Sequence, residues 1–365
     1  MLKVGVLGAG HLGKIHIRLL MELSDKYEFV GFFDPSEINA QGAIEQFKIK
    51  RFDTIEELLN EVDCIDIVTP TITHFDCAAA ALRKSKHVFI EKPLCTTIDD
   101  CLKVIEWSKN RSGLVWMGLE YRYMPPVAEL ISIVHGGGVG QVQQVSIREH
   151  REPFYPKVGN WNRFTSKTGG TLVEKCCHYF NLMDHIAKER PTRVFASGGQ
   201  RVNFLDESYE GVKADMLDSA YVILEYPSGK RAMLDLCMFA ENTVDKEHIS
   251  VTGSEGKVES FLPSLEVRHG KRSAVGNFKQ WSHDASKPKV ESRRVWDESI
   301  KYNGFHYGAS YLEHLKFFNA IKGGKGADVS LEDGLRSVAS GLAAQLSIAQ
   351  GRPVLMSEVL PAGWN

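Results

Sequence analysis

The segment from Leu2 to Asp34 constrains the fold more than any other part of the chain. An apolar run (Leu2, Val4, Val6, Leu7) leads directly into Gly8-Ala9-Gly10-His11-Leu12-Gly13. A helix-like stretch follows to Leu23, and then a second apolar run, Phe29-Val30-Gly31-Phe32-Phe33, closes on Asp34, 21 residues after the last glycine. Strand, G-x-G-x-x-G turn, helix and strand with a terminal acid form the sequence of a dinucleotide-binding βαβ unit. The three glycines act differently. Gly8 makes the tight turn, Gly10 lets backbone approach a pyrophosphate, and Gly13 lets helix and strand pack closely. The helix that starts at His11 and Leu12 offers free N–H groups and a partial positive charge to that anion. Asp34 is placed to accept from a ribose diol and to repel a 2′-phosphate. No arginine follows it in Asp34-Pro35-Ser36-Glu37, so the expected cofactor is NAD, with NADP less favoured.

At 365 residues the chain suggests two domains. Its 43% apolar and 25% charged residues fit a soluble globular protein, and a net charge of −2 gives no reason to expect nucleic acid or an anionic membrane as partner. No 18-residue apolar run occurs, and Met1-Leu2-Lys3 enters the first strand where a signal peptide would have to lie. Seven cysteines, an odd number without C-x-x-C spacing, fit a reducing cytoplasm.

The first third alternates strand and helix patterns. A short strand near Arg51-Phe52 precedes Asp53-Thr54-Ile55-Glu56, which resembles a capping box. Further strands read at Cys64–Thr69, His87–Ile90 and Leu114–Gly118, giving six in a doubly wound parallel sheet. Past Tyr123-Met124-Pro125-Pro126 the texture changes. Val142–His150, Arg193–Val202, Ala220–Phe239 and Ile249–Glu266 read as strands, and Tyr226-Pro227-Ser228-Gly229 as a hairpin turn. Residues from about His269 to Asn303 read as a surface excursion, before amphipathic helices at Tyr311–Ile321 and Leu331–Ala349. The expected organisation is an α/β Rossmann domain over 1–122 and, over 123–365, an α+β domain with a large, mostly antiparallel open sheet.

Polar residues at the carboxyl ends of parallel strands line the ligand crevice of such a sheet. Two groups qualify: Thr69-Pro70-Thr71 with His74, and Glu91-Lys92-Pro93. A lysine held beside the nicotinamide could polarise a substrate oxygen, although position alone also allows a solvated surface lysine. His74 reads as a packing residue at a helix start rather than a catalyst. In the second domain, Glu174 and His178 are four apart and share a face if the stretch is helical. Imidazole beside a carboxylate suits general acid/base work, though a packed structural histidine reads as well. Cys176-Cys177 with His178 and His185 suggests zinc, but adjacent cysteines suit one tetrahedral ion poorly, so no metal is expected.

Taken together, these pieces resemble the glucose–fructose oxidoreductase/inositol dehydrogenase/MocA (Gfo/Idh/MocA) family. The resemblance rests on Gly8–Gly13, Thr69-Pro70-Thr71 with His74, and His87-Val88-Phe89-Ile90-Glu91-Lys92-Pro93-Leu94. Gly169-Gly170 with Glu174 and His178, and Ser347-Ile348-Ala349-Gln350-Gly351-Arg352-Pro353-Val354, extend it over nearly the whole chain. It implies Lys92 and His178 as a proton-handling pair with Glu174 orienting them, and Arg122, Trp161 and Arg163 near cofactor or substrate. Ser36, Glu91 and Glu120 join the implied cofactor neighbourhood. The chain departs from the family where sugar and inositol dehydrogenases usually carry Asp: here Glu174 and Asn181 stand, and Glu174 is followed by an unusual Lys175, which could pair with Glu174, take part in catalysis or be structural.

The resemblance implies an NAD(P)-dependent oxidoreductase that moves hydride between nicotinamide and a carbinol or ketone carbon of a sugar, cyclitol or related polyol. A non-catalytic nucleotide-dependent sensor and an NAD-dependent glycosidase are the alternatives on the same fold. An exposed antiparallel face commonly needs covering, so a homodimer or homotetramer is expected. Substrate choice is assigned to second-domain loops, including Arg151–Lys167 and the region after His269.

Overall fold

A computed structural model describes residues 1–84, 86–272 and 290–364. The first sheet contains β1 (Leu2–Leu7), β2 (Tyr27–Phe33), β3 (Cys64–Ile67), β4 (His87–Glu91) and β5 (Val115–Gly118), all parallel in the order β2-β1-β3-β4-β5. Five strands replace the six expected. Arg51 makes only a single bridge to Phe32, with the Phe32 amide donating to Lys50 and the Phe52 amide to Phe32, and no run long enough to ladder follows. The linking helices are α1 (His11–Glu22), α2 (Glu37–Phe47), α3 (Ile55–Glu61), α4 (His74–Arg83) and α5 (Ile98–Ser108). Thr54 caps α3 by accepting from the Glu57 amide, so the cap pairs with the acid one residue beyond the one expected.

After α6 (Pro125–His135) a nine-stranded mixed sheet begins. Its strands are β6 (Val142–His150), β7 (Arg193–Gly199), β10 (Ser219–Glu225), β11 (Arg231–Cys237), β12 (Glu247–Gly253), β13 (Gly256–Leu262), β14 (Glu266–Lys271), β15 (Val290–Arg294) and β16 (Val354–Leu355); β8 (Ser208–Tyr209) and β9 (Val212–Lys213) form a separate ribbon. Only β6 and β11 run parallel. The expected excursion after His269 is therefore in part an edge hairpin of β14 and β15, and the rest of it falls outside the described residues. Residue alternation on β10 and β11 is strict, with one side chain of each pair buried and the other exposed. Short α7 (Thr165–Thr168) and α8 (Thr171–Glu174) lead to α9 (Cys177–Ala187), and α10 (Ala309–Gly323) and α11 (Leu331–Gln350) close the chain's helical set.

The two last helices return to the first sheet. Trp116 on β5 donates to Glu313 of α10 at 3.0 Å, Tyr27 on β2 donates to the His314 carbonyl at 2.8 Å, and Phe317 packs edge-on against Phe89 and Trp116. Beneath them lies a buried polar joint. Asp66 on β3 meets His16 Nδ1 of α1 at 2.8 Å and His314 Nε2 of α10 at 3.1 Å, while His314 Nδ1 faces the Ser310 carbonyl at 2.8 Å. These are hydrogen-bond distances, and three elements from opposite ends of the chain are joined by shared protons where an unpaired Asp66 would be costly.

Candidate active site

The order of the first sheet brings the ends of β1, β3 and β4 side by side, and with them the three turns singled out in the sequence. Gly8 sits at φ 97°, and a Cβ there would fall 2.6 Å from the Val68 carbonyl; one on Gly13 would fall 2.1 Å from the Gly8 carbonyl. At Gly10 the nearest atom to such a Cβ is 3.9 Å away, so the turn presents an open ledge there. Helix α1 starts at that ledge with no side-chain cap and no acid in its first turn, leaving the amides near His11 and Leu12 available to an anion. These residues fit a dinucleotide.

Asp34 lies at the end of β2. Its Oδ2 accepts from the Ala9 amide at 2.7 Å and from Asn39 Nδ2 at 3.3 Å, and Oδ1 accepts from the Ser36 amide at 2.8 Å. Ser36 itself caps α2. Arg51 also reaches this edge, donating to the Asp34 carbonyl at 3.1 Å and to Glu37 at 2.7 Å. It comes from the connection after α2, so the local window Asp34–Glu37 carried no sign of it.

Lys92 Nζ donates to the Glu174 carbonyl at 3.0 Å and stands 3.8 Å from Glu174 Oε1, while Thr71 donates to Glu174 Oε2 at 2.6 Å. Burial disfavours the ammonium, but Glu174 and the more distant Cys177, Glu91 and Glu120 outweigh it, and the Lys92 pKa is raised. Behind it, the Glu91 carboxylate accepts from the Lys92 amide at 3.1 Å and faces His16 Nε2 at 3.4 Å; burial pushes Glu91 up to about 8 despite His16. His74 is a clamp: its nitrogens meet the Pro93 carbonyl at 2.8 Å and the Thr69 carbonyl at 2.9 Å. It thereby ties the Thr69-Pro70 turn to the Lys92-Pro93 turn.

His178 is set differently from expectation. The helix breaks at Lys175 and Cys176, so Glu174 ends α8 while His178 lies in α9, and no hydrogen bond or ion pair joins them among the described residues. Glu174 therefore contacts Lys92 and not His178. His178 instead stacks flat on Tyr121, with centroids 4.0 Å apart and planes 10° from parallel. Burial, with the charges of Lys92, Lys175 and His306, holds its pKa well below the usual histidine value. Its Nδ1 has no partner among the described residues. Lys175 turns the other way, donating to Tyr121 Oη at 2.5 Å and pairing with Glu149 at 3.0 Å, which fixes the platform under His178. Of its three roles, the structural one is what these contacts describe.

Arg122 is buried, donating to Asn181 at 2.7 Å and to the Asp328 carbonyl at 3.0 Å. Arg163 likewise is spent on Glu207 at 2.9 Å and lies over the Phe204 ring, and Trp161 is half-buried in the turn Val158–Arg163. Glu120 is buried against Ser310 and His306. Three residues went unremarked in the sequence: Tyr121, His306 and Lys157, the last with a pKa lowered by burial and by Lys92. No ligand-type grouping forms at Cys176-Cys177 among the described residues; all seven cysteines are free, and the one such grouping is His16, Asp66 and His314. A separate cavity of about 430 Å³ is lined by His135, Asp184, His185, Arg190 and Asp333, and neither Lys92 nor His178 reaches it. No helix among the described residues is long and apolar enough to cross a membrane.

Two family profiles match the chain: "Oxidoreductase family, NAD-binding Rossmann fold" over residues 2–119 and "Oxidoreductase family, C-terminal alpha/beta domain" over residues 131–356. The myo-inositol 2-dehydrogenase of Thermotoga maritima is 28% identical over 98% of this chain and all of its own length. An inositol 2-dehydrogenase of Rhizobium meliloti is also 28% identical, over 96% of this chain and 98% of its own. Among solved structures, a probable dehydrogenase from Thermotoga maritima superposes with a TM-score of 0.76 at 26% identity, covering 98% of this chain and 100% of that one. A levoglucosan dehydrogenase complexed with NADH reaches 0.82 at 18% identity, covering 97% and 99%, a likeness of fold.

Proposed function

The chain belongs to the Gfo/Idh/MocA oxidoreductase family, and from that premise we propose that it is an NAD-dependent dehydrogenase of a CH–OH group on a cyclitol, sugar or related polyol. The observation that carries the reading is an open glycine turn at Gly8–Gly13 in the same sheet as Lys92, which is held on Glu174, together with a buried His178 whose Nδ1 has no partner among the described residues. The inositol dehydrogenase relatives support a polyol substrate.

Bound NAD supplies the acceptor for a hydride and its electron pair at the nicotinamide ring. The chain does the rest. Gly8, Gly10 and Gly13 with the start of α1 would hold the cofactor's pyrophosphate, and Asp34 its ribose. Lys92, kept protonated by Glu174, donates to the substrate oxygen and stabilises the charge that grows there. His178, kept neutral, accepts the hydroxyl proton. His74 and Thr71 hold the two turns that set Lys92 and Glu174.

Asp34 favours NAD over NADP, and Glu37 already occupies the one nearby arginine, Arg51. An exposed apolar row on the large sheet supports a homodimer or homotetramer, and seven free thiols suit a reducing cytoplasm. We divide the chain near Arg122, between β5 and α6.

The test is single-turnover NADH formation on a polyol panel that includes myo-inositol, with NAD affinity measured separately by fluorescence. Lys92→Met and His178→Asn should each lower turnover by about 10²–10⁴-fold while NAD affinity holds, and the double variant should be little worse than the poorer single one. Near-normal turnover in His178→Asn removes that residue from the chemistry.

A further inference from the structure

His178 can take a proton but is badly placed to keep it. Its side chain is almost wholly enclosed, at 2% exposure, and faces the positive charges of Lys92 and Lys175. A proton accepted there must move on before another turnover. One imidazole stands where it could go. His306 lies in the tight turn before α10, whose residues Gly304, Tyr307 and Gly308 all take left-handed backbone. Its ring centroid is 6.1 Å from that of His178 and 5.1 Å from that of Tyr121, a separation that one water or one substrate hydroxyl can bridge. Its Nδ1 is in contact with Glu120 Oε1. The neighbouring Phe305 packs edge-on against His11 of the dinucleotide turn at 5.3 Å, so the segment borders the same crevice.

Glu120 is suited to support a charged partner. Burial opposes its ionisation, but His306 and the Ser310 hydroxyl bring its carboxyl down to about 2. Carboxylate, imidazole and a free second nitrogen form the arrangement that holds an imidazolium briefly and releases it. Unlike His178, the His306 side chain is 20% exposed and so touches solvent. The groups facing this pair are Tyr121 beside it, His178 from α9, Ser310 from α10, His16 from α1 and, behind His16, Glu91.

We infer that His306, backed by Glu120, is a relay residue that acts through His178 and passes the substrate-derived proton to solvent. This rests on the dehydrogenase reading above. In the step, the N–H bond of the His178 imidazolium breaks as the bridging water or hydroxyl takes that proton, the bridge's own O–H bond breaks as an N–H bond forms at His306 Nε2, and His306 then releases the proton to water; no electrons move. In the reductive direction the same route delivers a proton inward.

Two measurements on the full chain with NAD bound decide it. Histidine NMR should show the two rings as a linked pair: His306→Gln should alter the titration of His178. With myo-inositol as probe, or the first panel polyol the native protein oxidises, His306→Gln should lower kcat by about 10²-fold with KM and NAD affinity unchanged, and remove one limb of the pH–rate profile. Free imidazole should restore rate to His306→Gly. Native kcat and pH profile in His306→Gln, or a loss that imidazole does not rescue, overturns the relay. If the native protein oxidises no polyol, the dehydrogenase reading fails, and the linked titration alone then decides whether the two imidazoles share a proton.

Discussion

Asp34 serves two structures at once. One carboxylate fixes the Ala9 amide of the glycine turn and the Ser36 amide at the start of α2, and it also stands where an adenosine ribose would lie. Asp34→Ala is therefore expected to weaken NAD binding by about 10–100-fold, the worth of a hydrogen bond to a charged group, and NADP binding much less. Adding Glu37→Ala should free Arg51 and close more of the gap. Fluorescence titration with both cofactors checks this, and NADP binding as tight as NAD in the native protein would sink the preference. Lys92 and the glycine turn were legible because each sits in a contiguous motif whose neighbours in sequence are its neighbours in space. Arg51, Tyr121, Lys157 and His306 were not, because tertiary folding alone brings them to the crevice. The partners of Arg122 and Arg163 were not legible either: a buried arginine takes acceptors that folding brings to it, here Asn181 and Glu207, and sequence spacing does not reveal which.

At the scale of elements, the break between α8 and α9 decides more than any single distance. Were residues 171–187 one helix, Glu174 and His178 would share a face; with the break, the carboxylate accepts from Thr71 and stands 3.8 Å from Lys92, while the imidazole goes to Tyr121. The joint of α1, β3 and α10 carries a stability prediction. Burial would lower the pKa of His16, but Asp66 and Glu91 more than offset this and raise it to about 9, against 6.5 in an unfolded chain. The folded state then holds a proton that the unfolded state gives up, so this contribution is complete below pH 6.5 and lost as pH rises through about 9. Glu91, raised to about 8, acts with the same sign from 4.5 upward. Denaturant midpoints should accordingly fall between pH 6.5 and 9.5. His16→Gln should cost about 3–5 kcal/mol at pH 6.5, as breaking a buried pair does, and flatten that slope. An unchanged slope in the variant would locate the proton elsewhere.

For the whole molecule, the outer face of the large sheet is the surface that asks for a partner. Phe195, Ile223 and Met233 lie in register across β7, β10 and β11, and with Tyr221 at 63% exposure they form an apolar row on otherwise alternating strands. Sedimentation should find a dimer or tetramer in the native protein and a folded monomer in Ile223→Glu with Tyr221→Glu; a native monomer would refute the row as an interface. The alternation that builds this face was plain in the sequence, whereas the return of α10 to the first sheet was not, since nothing local marks a helix as belonging to strands far upstream. That return has a consequence for synthesis. Phe89, Trp116 and Asp66 emerge about 200 to 250 residues before Phe317, Glu313 and His314, the groups that cover them. At ribosomal speeds of about 5–20 residues per second, the nascent nucleotide-binding sheet waits on the order of 10–50 s with one face open. The amino-terminal unit is thus not a module the cell can finish first, and its maturation is timed by the far end of the message.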